Sequence, residues 1–322
     1  MVVNLLDIKN ISVDFNTGQE PVRVVNDLSL SIKKGEVLGL VGESGCGKST
    51  TALSILRLIP SPPGSISGEG IFWKGMNLLG LTIEEMLDIR GKQISMIFQE
   101  PLSSFNPVLK VGRQVEEVLL IHEKSGSSST QNHKIISEMF DHVGLKNPEN
   151  IIEAFPHELS GGMRQRAMIA MALILSPELL IADEPTTALD VTIQAQILDL
   201  LKNLQEESGM SMLLITHNLG IVAQTCGRVA VMYAGKIIEN SPVNGLFEKP
   251  LHPYAMGLIK SVPNPSVKGR LYAIPGNIPD PNRLPEGCTF HPRCPYVMQI
   301  CREKFPETKE VEQGRTTACW LY

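Results

Sequence analysis

The sequence has 322 residues, of which 43% are hydrophobic and 20% charged, and 29 Lys and Arg against 34 Asp and Glu give a formal net charge of −5. Such a chain can bury a sizeable core, which excludes a disordered or fibrous protein, and its negative balance argues against an electrostatic grip on nucleic acid. No apolar run approaches the roughly 20 residues that cross a bilayer, and the first ten residues lack the basic start of a secretory signal, so we expect a cytosolic protein.

The first 60 residues predict strands followed by a helix. Leu28, Leu30 and Ile32 alternate with serines, which is the period-2 pattern of a half-buried strand. Residues Val37–Val41 are continuously apolar, as expected of a strand that is covered on both faces. A glycine-rich loop then leads into a helix that must end before Pro60.

The rest of the first 261 residues predicts helices and further strands. Residues from about 82 to 175 have mainly helical patterns, and this stretch includes one short predicted strand at 94–98. Apolar strand patterns return at 179–182 and 212–215, each followed by polar residues where open α/β sheets place their ligands. Residues 229–239 predict a closing β-hairpin.

Residues 42–49 fit the phosphate-loop pattern G-x-x-x-x-G-K-[ST]. Its glycines let backbone N–H groups turn toward phosphate oxygens, and the helix that starts near Lys48 adds its positive end. Lys48 can reach the β- and γ-phosphates, and the hydroxyl of Ser49 can ligate Mg²⁺. The candidate nucleotide-binding residues of this loop are Gly42, Glu43, Ser44, Gly45, Cys46, Gly47, Lys48, Ser49 and Thr50.

Two adjacent acids, Asp183 and Glu184, end the apolar strand near residue 182. Asp183 suits a contact with Mg²⁺, and Glu184 suits a base that activates water. Gln99 and His217 also follow predicted strands, where side chains can meet a nucleotide at the sheet edge. Alone, each of these residues is typical of a loop at a strand end; beside a phosphate loop they predict a nucleotide site.

Residues 159–162, Leu-Ser-Gly-Gly, precede a helical pattern. In isolation this tetrapeptide predicts a helix cap with Ser160 or Gly161 near the helix start.

In order along the chain, these segments resemble the ATP-binding cassette (ABC) ATPases: the phosphate loop, Gln99, LSGGMRQR at 159–166, Asp183-Glu184, Ala-Leu-Asp at 188–190, and His217. The resemblance implies an α/β P-loop NTPase cassette, with a mixed central sheet, a helical subdomain at about 100–175 and an antiparallel β subdomain. It implies ATP and Mg²⁺ as cofactors, with Mg²⁺ held by Ser49, Gln99 and Asp183. Its catalytic residues would be Glu184, His217 and Gln99.

The resemblance also implies a head-to-tail dimer that encloses two ATP molecules. Ser160, Gly161 and Gly162 of one subunit would then face the phosphate loop and Glu184 of the other. Phe15 resembles the aromatic residue that stacks on adenine, although it also suits a core strand. Met163 departs from the Gln that is usual in the family. Because the backbone donors at 160–162 are unchanged, we expect the function of this segment to be modified and not lost.

Two further segments narrow the family. Residues 100–107 read EPLSSFNP and residues 250–254 read PLHPY, and both resemble the dipeptide/oligopeptide/nickel importer ATPases. An ordinary helix start bounded by proline is the alternative for PLHPY. The resemblance implies a peripheral ATPase at the cytoplasmic face of the cell membrane that energises import of di- or oligopeptides.

Its partners would be two permease subunits, whose coupling helices meet residues 99–113, a second ABC ATPase (a paralogue or itself) and, indirectly, an extracytoplasmic solute-binding protein. Nickel or another small solute remains an alternative cargo. A soluble ABC ATPase acting on nucleic acid is the competing class, and a single cassette, no heptad run and a net negative charge argue against it.

The last part of the chain has a different composition. Nine of the 22 prolines lie between residues 262 and 322, so we predict a nucleotide-binding domain at 1–261 and a Pro- and Cys-rich extension at 262–322. Four of the six cysteines lie in the last 35 residues, at Cys288, Cys294, Cys301 and Cys319.

Their spacing, C-x5-C-x6-C-x17-C, lacks the C-x2-C pairs that are common in zinc sites, and disulfides are disfavoured in a reducing cytosol. A [4Fe–4S] cluster tolerates wider spacing. Resemblance to importer ATPases with this cysteine pattern favours the [4Fe–4S] cluster, with Zn²⁺ or unliganded thiols as alternatives. A metal centre would also hold together a segment that is short of apolar residues.

Overall fold

The computed structural model describes residues 4–16, 18, 20–99, 104–122, 128–187, 189–263 and 272–322. Residues 100–103, at the start of the segment EPLSSFNP, and residue 188 of Ala-Leu-Asp lie outside the described part. The strands are β1 (Asn4–Asn16), β2 (Pro21–Lys33), β3 (Val37–Val41), β4 (Gly64–Ser67), β5 (Gly70–Trp73), β6 (Met76–Asn77), β7 (Ile94–Ile97), β8 (Leu179–Asp183), β9 (Ser211–Thr216), β10 (Arg228–Tyr233), β11 (Lys236–Pro242), β12 (Lys309–Glu312) and β13 (Arg315–Thr317).

The helices are α1 (Lys48–Ile55), α2 (Ile83–Leu87), α3 (Val111–His122), α4 (Ser129–His142), α5 (Pro148–Glu153), α6 (Gly161–Leu173), α7 (Val191–Ser208), α8 (Leu219–Thr225), α9 (Val243–Glu248), α10 (Pro253–Ser261) and α11 (Ile300–Glu303). No helix in the described ranges has the length and apolar character needed to cross a bilayer. The chain divides into two compact units, which are described separately: Met1–Gly80 with Leu214–Tyr322, and Leu81–Leu213.

The first unit contains an antiparallel sheet with the strand order β2-β1-β5-β6, in which β4 also pairs with β1. In β2 the side chains of Leu28, Leu30 and Ile32 are buried, whereas Ser29 between them is exposed. The alternation predicted from the sequence is therefore present. It gives the sheet one face that packs into the core of the unit and one that faces water.

A second set of strands in the first unit follows the order β12-β13-β11-β10-β3-β9. β3 pairs in parallel with β10, and Leu38 and Leu40 are completely buried, as their unbroken apolar run predicted. β13 from the C-terminal part of the chain pairs with β11, through Thr317 opposite Glu239. The strands β12 and β13 were not predicted, because their sequences are charged and carry no apolar alternation.

The second unit places β7 and β8 side by side in parallel, and all five residues of β8 are buried. The helices α2 to α7 belong to this unit. The long helix α7 starts at a cap in which Asp190 Oδ1 accepts a hydrogen bond from the N–H of Ile193 at 2.9 Å, and Gly209 with φ of 66° ends it. The chain returns to the first unit within β9. These sheets and helices give the α/β class predicted from the sequence.

Candidate nucleotide site

The phosphate loop connects β3 to α1 in the first unit. Gly45 and Gly47 have φ of 79° and 106°, in the left-handed region where residues with a Cβ are strained. A Cβ on Gly42 would lie 2.3 Å from the carbonyl oxygen of Met232. The backbone path of the loop therefore requires glycine at these three positions.

Lys48 lies across this loop and is only 5% exposed. Its Nζ donates hydrogen bonds to the carbonyl oxygens of Gly42 at 2.8 Å and Glu43 at 3.0 Å. Ser49 and Thr50 follow it in the first turn of α1, where backbone N–H groups have no acceptor within the helix. A buried ammonium beside a helix start is chemistry that fits the phosphates of a nucleotide.

Phe15 lies near the end of β1, opposite Val22 of β2 and Gly64 of β4. It is half-buried, and a Cβ on Gly64 would lie 3.2 Å from its ring. The ring is thus packed on one side against the backbone of β4. Its contact with adenine stays a prediction.

The acidic pair lies at the end of β8 in the second unit. Asp183 is buried, and Glu184 has φ of 46°, a left-handed backbone that is uncommon without glycine and is concentrated at functional sites. Glu184 Oε2 accepts hydrogen bonds from Gln99 Nε2 at 3.2 Å and from Thr187 Oγ1 at 2.9 Å. The structure therefore brings Gln99 and Glu184 together at the ends of the paired strands β7 and β8.

Two glutamine side chains, one buried and one half-buried, hold the loop that follows Glu184. Sequence reasoning missed both. Gln165 of α6 donates to the carbonyl oxygen of Pro185 at 2.6 Å. Gln194 of α7 donates to the carbonyl oxygens of Thr186 and Leu189, both at 3.1 Å. The available signal was a polar residue on the otherwise apolar face of α6, which requires a partner when buried.

The signature segment starts α6. Ser160 is the cap, and its Oγ accepts from the N–H of Met163 at 3.3 Å, so the cap predicted at Ser160 or Gly161 falls at Ser160. A Cβ on Gly162 would lie 3.1 Å from Ile193 of α7, which leaves little room for a side chain. Ser160 is exposed and both glycines are half-buried, so the positive end of α6 is open to an anion.

The remaining predicted site residues are divided between the two units. His217 follows β9 in the first unit and is exposed. Ser49 also belongs to the first unit, whereas Gln99 and Asp183 belong to the second. A single Mg²⁺ site made of these three residues stays a prediction, as does the catalytic role of His217.

The segment His252-Pro253-Tyr254 starts α10, and it also contacts the phosphate loop. The ring Nδ1 of His252 accepts from the N–H of Tyr254 at 3.0 Å, and complete burial lowers the pKa of His252 to about 3, so the ring is neutral. The hydroxyl of Tyr254 accepts a hydrogen bond from the N–H of Glu43 at 2.9 Å. The backbone of this segment is a helix start with proline in its first turn, and the tyrosine has a further contact with the phosphate loop.

The four C-terminal cysteines line one pocket, together with His252, Phe290 and Trp320. Burial raises the pKa of Cys288 to about 11, and it raises the pKa values of Cys294 and Cys319 as well. Cys288, Cys294 and Cys319 are therefore protonated thiols unless a metal binds them. Across the described residues, no group of three or more His, Cys, Asp or Glu side chains is placed to hold a metal ion. The predicted [4Fe–4S] cluster and its Zn²⁺ alternative stay predictions.

Comparison with known families gives two matches. The family described as ABC transporter matches residues 25–187, and the family described as oligopeptide/dipeptide transporter, C-terminal region, matches residues 238–301. Similar proteins include "Probable peptide ABC transporter ATP-binding protein y4tR" of Sinorhizobium fredii, 48% identical over 98% of this chain and 94% of that protein. They also include AppD of Bacillus subtilis, an "Oligopeptide transport ATP-binding protein", 46% identical over 99% of this chain and 97% of that protein.

Solved structures agree with the fold. "Dimeric Structure of MJ0796, a Bacterial ABC Transporter Cassette" is 29% identical, covers 74% of this chain and 98% of its own, and has a TM-score of 0.66. CbiO1 of Clostridium perfringens, part of the ABC transporter complex CbiONQ, is 25% identical over 76% of this chain and 91% of its own, with a TM-score of 0.63. The chain belongs to the ABC transporter ATP-binding proteins, in the oligopeptide/dipeptide group, and is an ABC-type ATPase.

Proposed function

We propose that this chain is the ATP-hydrolysing subunit of a membrane importer for di- or oligopeptides. The observation that carries the proposal is the joining, in one chain, of an ABC cassette and the C-terminal region described for oligopeptide and dipeptide transporters. The peptide-transport relatives match along nearly their whole length. The alternative of a nucleic-acid ATPase has no such support.

ATP would bind with its phosphates in the loop at 42–50 and its adenine against Phe15. Lys48 lies in the loop with its ammonium held by two carbonyl oxygens, and a nucleotide phosphate would take their place. Ser49, Gln99 and Asp183 would hold Mg²⁺, which neutralises phosphate charge when it is bound.

Hydrolysis requires a base that takes a proton from the attacking water. Glu184 is the base in our proposal, because its carboxylate is held at one oxygen by Gln99 and Thr187 and its strained backbone points to a functional position. The amide of Gln165 fixes the loop behind it. His217 would contact the γ-phosphate from the strand end that it follows.

We also propose the partners that this function needs. A second ABC ATPase, identical or paralogous, would present its Ser160, Gly161 and Gly162 to the ATP bound by this chain. Two permease subunits would meet residues 99–113, of which Val108 is 74% exposed, an apolar side chain available for a partner. The chain would then work at the cytoplasmic face of the cell membrane, with an extracytoplasmic solute-binding protein delivering the peptide.

The test is ATP hydrolysis by the native complex in liposomes. We expect the binding protein loaded with a di- to pentapeptide to stimulate hydrolysis, because cargo delivery is coupled to closure of the ATPase dimer. The matched control is the same complex with Glu184→Gln in this chain. Stimulation by nickel and not by peptide would show that nickel is the cargo. Stimulation by nucleic acid without permeases would refute the proposal that the chain serves an importer.

For the four-cysteine pocket we propose a [4Fe–4S] cluster, in place of Zn²⁺, with Cys288, Cys294, Cys301 and Cys319 as ligands. The support is that all four side chains line the same pocket and that four thiolates are the usual ligand set of such a cluster. Because burial raises the pKa of Cys288, Cys294 and Cys319, loading the pocket would release protons, and the bound metal would hold the C-terminal segment together.

Anaerobic purification tests this proposal. We expect a brown protein with about four iron and four sulfide per chain, and loss of colour in Cys301→Ser. Cys226→Ser is the control, since Cys226 is buried outside the pocket. A colourless protein with one zinc per chain would support the Zn²⁺ alternative instead.

A further inference from the structure

The C-terminal segment, described over residues 272–322, contacts the phosphate loop of its own chain through Arg293. Its Nη1 donates to Glu43 Oε2 at 2.7 Å and its Nη2 donates to Glu43 Oε1 at 3.0 Å. This is a bidentate pair, the strongest geometry between a guanidinium and a carboxylate. The two residues are 250 positions apart in the sequence, and both lie in the first unit.

The guanidinium is buried and fixed on several sides. The side chain of Arg293 is 4% exposed and that of Glu43 is 24% exposed. Arg293 Nε donates to the carbonyl oxygen of Pro275 at 3.0 Å, and Nη1 also donates to the hydroxyl of Tyr233 at 3.3 Å. Phe290 packs edge-on against Tyr233 with ring centroids 5.2 Å apart. The position of Arg293 is therefore set by the C-terminal segment, and Glu43 follows it.

Glu43 is a carboxylate within the loop that must hold the phosphates. Its backbone N–H donates to Tyr254, and its carbonyl oxygen accepts from Lys48. Without a cation beside it, a carboxylate here would repel the phosphates of a nucleoside triphosphate. The side chain would also have no partner to fix it, so the loop would be free to move. Arg293 removes both effects, since it neutralises the charge and fixes the side chain.

A second contact area supports the same link. A cavity of about 340 Å³ is lined by Ser44, Gly45 and Cys46 of the phosphate loop and also by Ile278, Pro279 and Leu284 of the C-terminal segment. The C-terminal segment thus lies beside the phosphate loop at two places, the ion pair and the wall of this cavity.

We propose that Arg293 is a positioning residue for ATP binding, which acts through Glu43 to preset the phosphate loop for the nucleotide. The inference rests on the ATP-binding function proposed above. It assigns the C-terminal segment a role within the nucleotide site of its own chain, separate from whatever occupies the cysteine pocket.

The experiment measures ATP binding and steady-state hydrolysis in the full chain with Arg293→Met. We expect the Kd and KM for ATP to rise about tenfold or more, because one partner of a buried charge pair is lost. We expect kcat at saturating ATP to stay within about twofold, because Arg293 does not touch the reacting atoms. A merely structural role would instead lower kcat with the amount of active protein and leave KM unchanged, which would overturn the proposal.

A double mutant separates the pair from general loss of structure. In Arg293→Met with Glu43→Gln the repelling charge is gone, so we expect most of the lost affinity to return. The matched control is Arg302→Met, because Arg302 is also adjacent to a C-terminal cysteine but is exposed. Additive losses in the double mutant, or an equal loss in the control, would overturn the proposal. If the wild-type chain bound no ATP, the proposed function itself would fail, and that outcome is distinct from unchanged affinity in Arg293→Met.

Discussion

Glu184 combines a strained backbone with a side chain held at one carboxylate oxygen. Gln99 Nε2 and Thr187 Oγ1 both donate to Oε2, and these two hydrogen bonds fix the orientation of the carboxylate. A left-handed backbone at a residue other than glycine costs about 1 kcal/mol or more, and it persists only where the surroundings impose it. The hydrogen bonds from Gln165 and Gln194 to the following loop supply that constraint.

We predict that Glu184→Gln stops turnover but keeps ATP binding. The amide cannot take a proton from water, so kcat should fall about 100-fold or more. The Kd for ATP should change by no more than about twofold, since glutamine has the same size and keeps an oxygen that can accept the hydrogen bonds from Gln99 and Thr187. Single-turnover hydrolysis and ATP titration of the purified chain measure the two quantities.

The control is Glu206→Gln on the exposed face of α7. It should leave both quantities unchanged. Unchanged turnover in Glu184→Gln would remove Glu184 from the role of base.

At the scale of elements, a buried carboxylate joins three parts of the first unit. Glu239 of β11 is completely buried, and its oxygens accept from the N–H of Leu251 at 3.0 Å and from the N–H of His252 at 2.7 Å. Arg315 of β13 lies 3.8 Å from it. The start of α10 and the C-terminal strand are thus held to β11 by one side chain.

We therefore predict that Glu239→Ala destabilises the first unit. It would leave two backbone donors and a buried guanidinium without this partner, so the free energy of unfolding should fall by about 3 kcal/mol. Both tryptophans, Trp73 and Trp320, lie in this unit, so their fluorescence during urea unfolding reports the change. The exposed Glu286→Ala is the control and should change it by less than about 0.5 kcal/mol. Equal values for the two variants would show that Glu239 does not hold these elements.

Local patterns account for the part of the fold that was predicted. β3 and β8 are unbroken apolar runs, and the phosphate loop between β3 and α1 has a distinctive sequence, so neighbouring residues are enough to identify them. The strands β12 and β13 have no such pattern. β12 is mostly exposed and pairs with β13, and β13 is placed by its pairing with β11 and by the contacts of Arg315. The domain boundary near residue 262 remains a prediction.

The same distinction applies to the site. The positions of Gln99 and Glu184 follow from strand ends, which sequence shows. The pairing of Arg293 with Glu43 joins residues that no local pattern relates, because an arginine beside a cysteine does not indicate which carboxylate it will meet. Such contacts depend on how the C-terminal segment packs on the first unit.

At the scale of the whole molecule, the described chain carries two separate groups that could contact a nucleotide. The phosphate loop belongs to the first unit, whereas the open N-terminus of α6 belongs to the second. In a head-to-tail dimer the α6 of one chain would face the γ-phosphate held by the other, and the positive helix end would favour that approach.

We predict that Glu184→Gln with ATP and Mg²⁺ dimerises, because ATP stays intact between the two chains. Light scattering should then show twice the 35.3 kDa of one chain.

Adding Ser160→Glu should abolish the dimer while ATP binding is kept, since a carboxylate at the start of α6 would repel the partner's nucleotide. Ser128→Glu is the matched control, because Ser128 also caps an exposed helix start in the same unit. Dimers that resist Ser160→Glu would show a different interface, and dimers that form only after a second ABC ATPase is added would show that the working pair is a heterodimer.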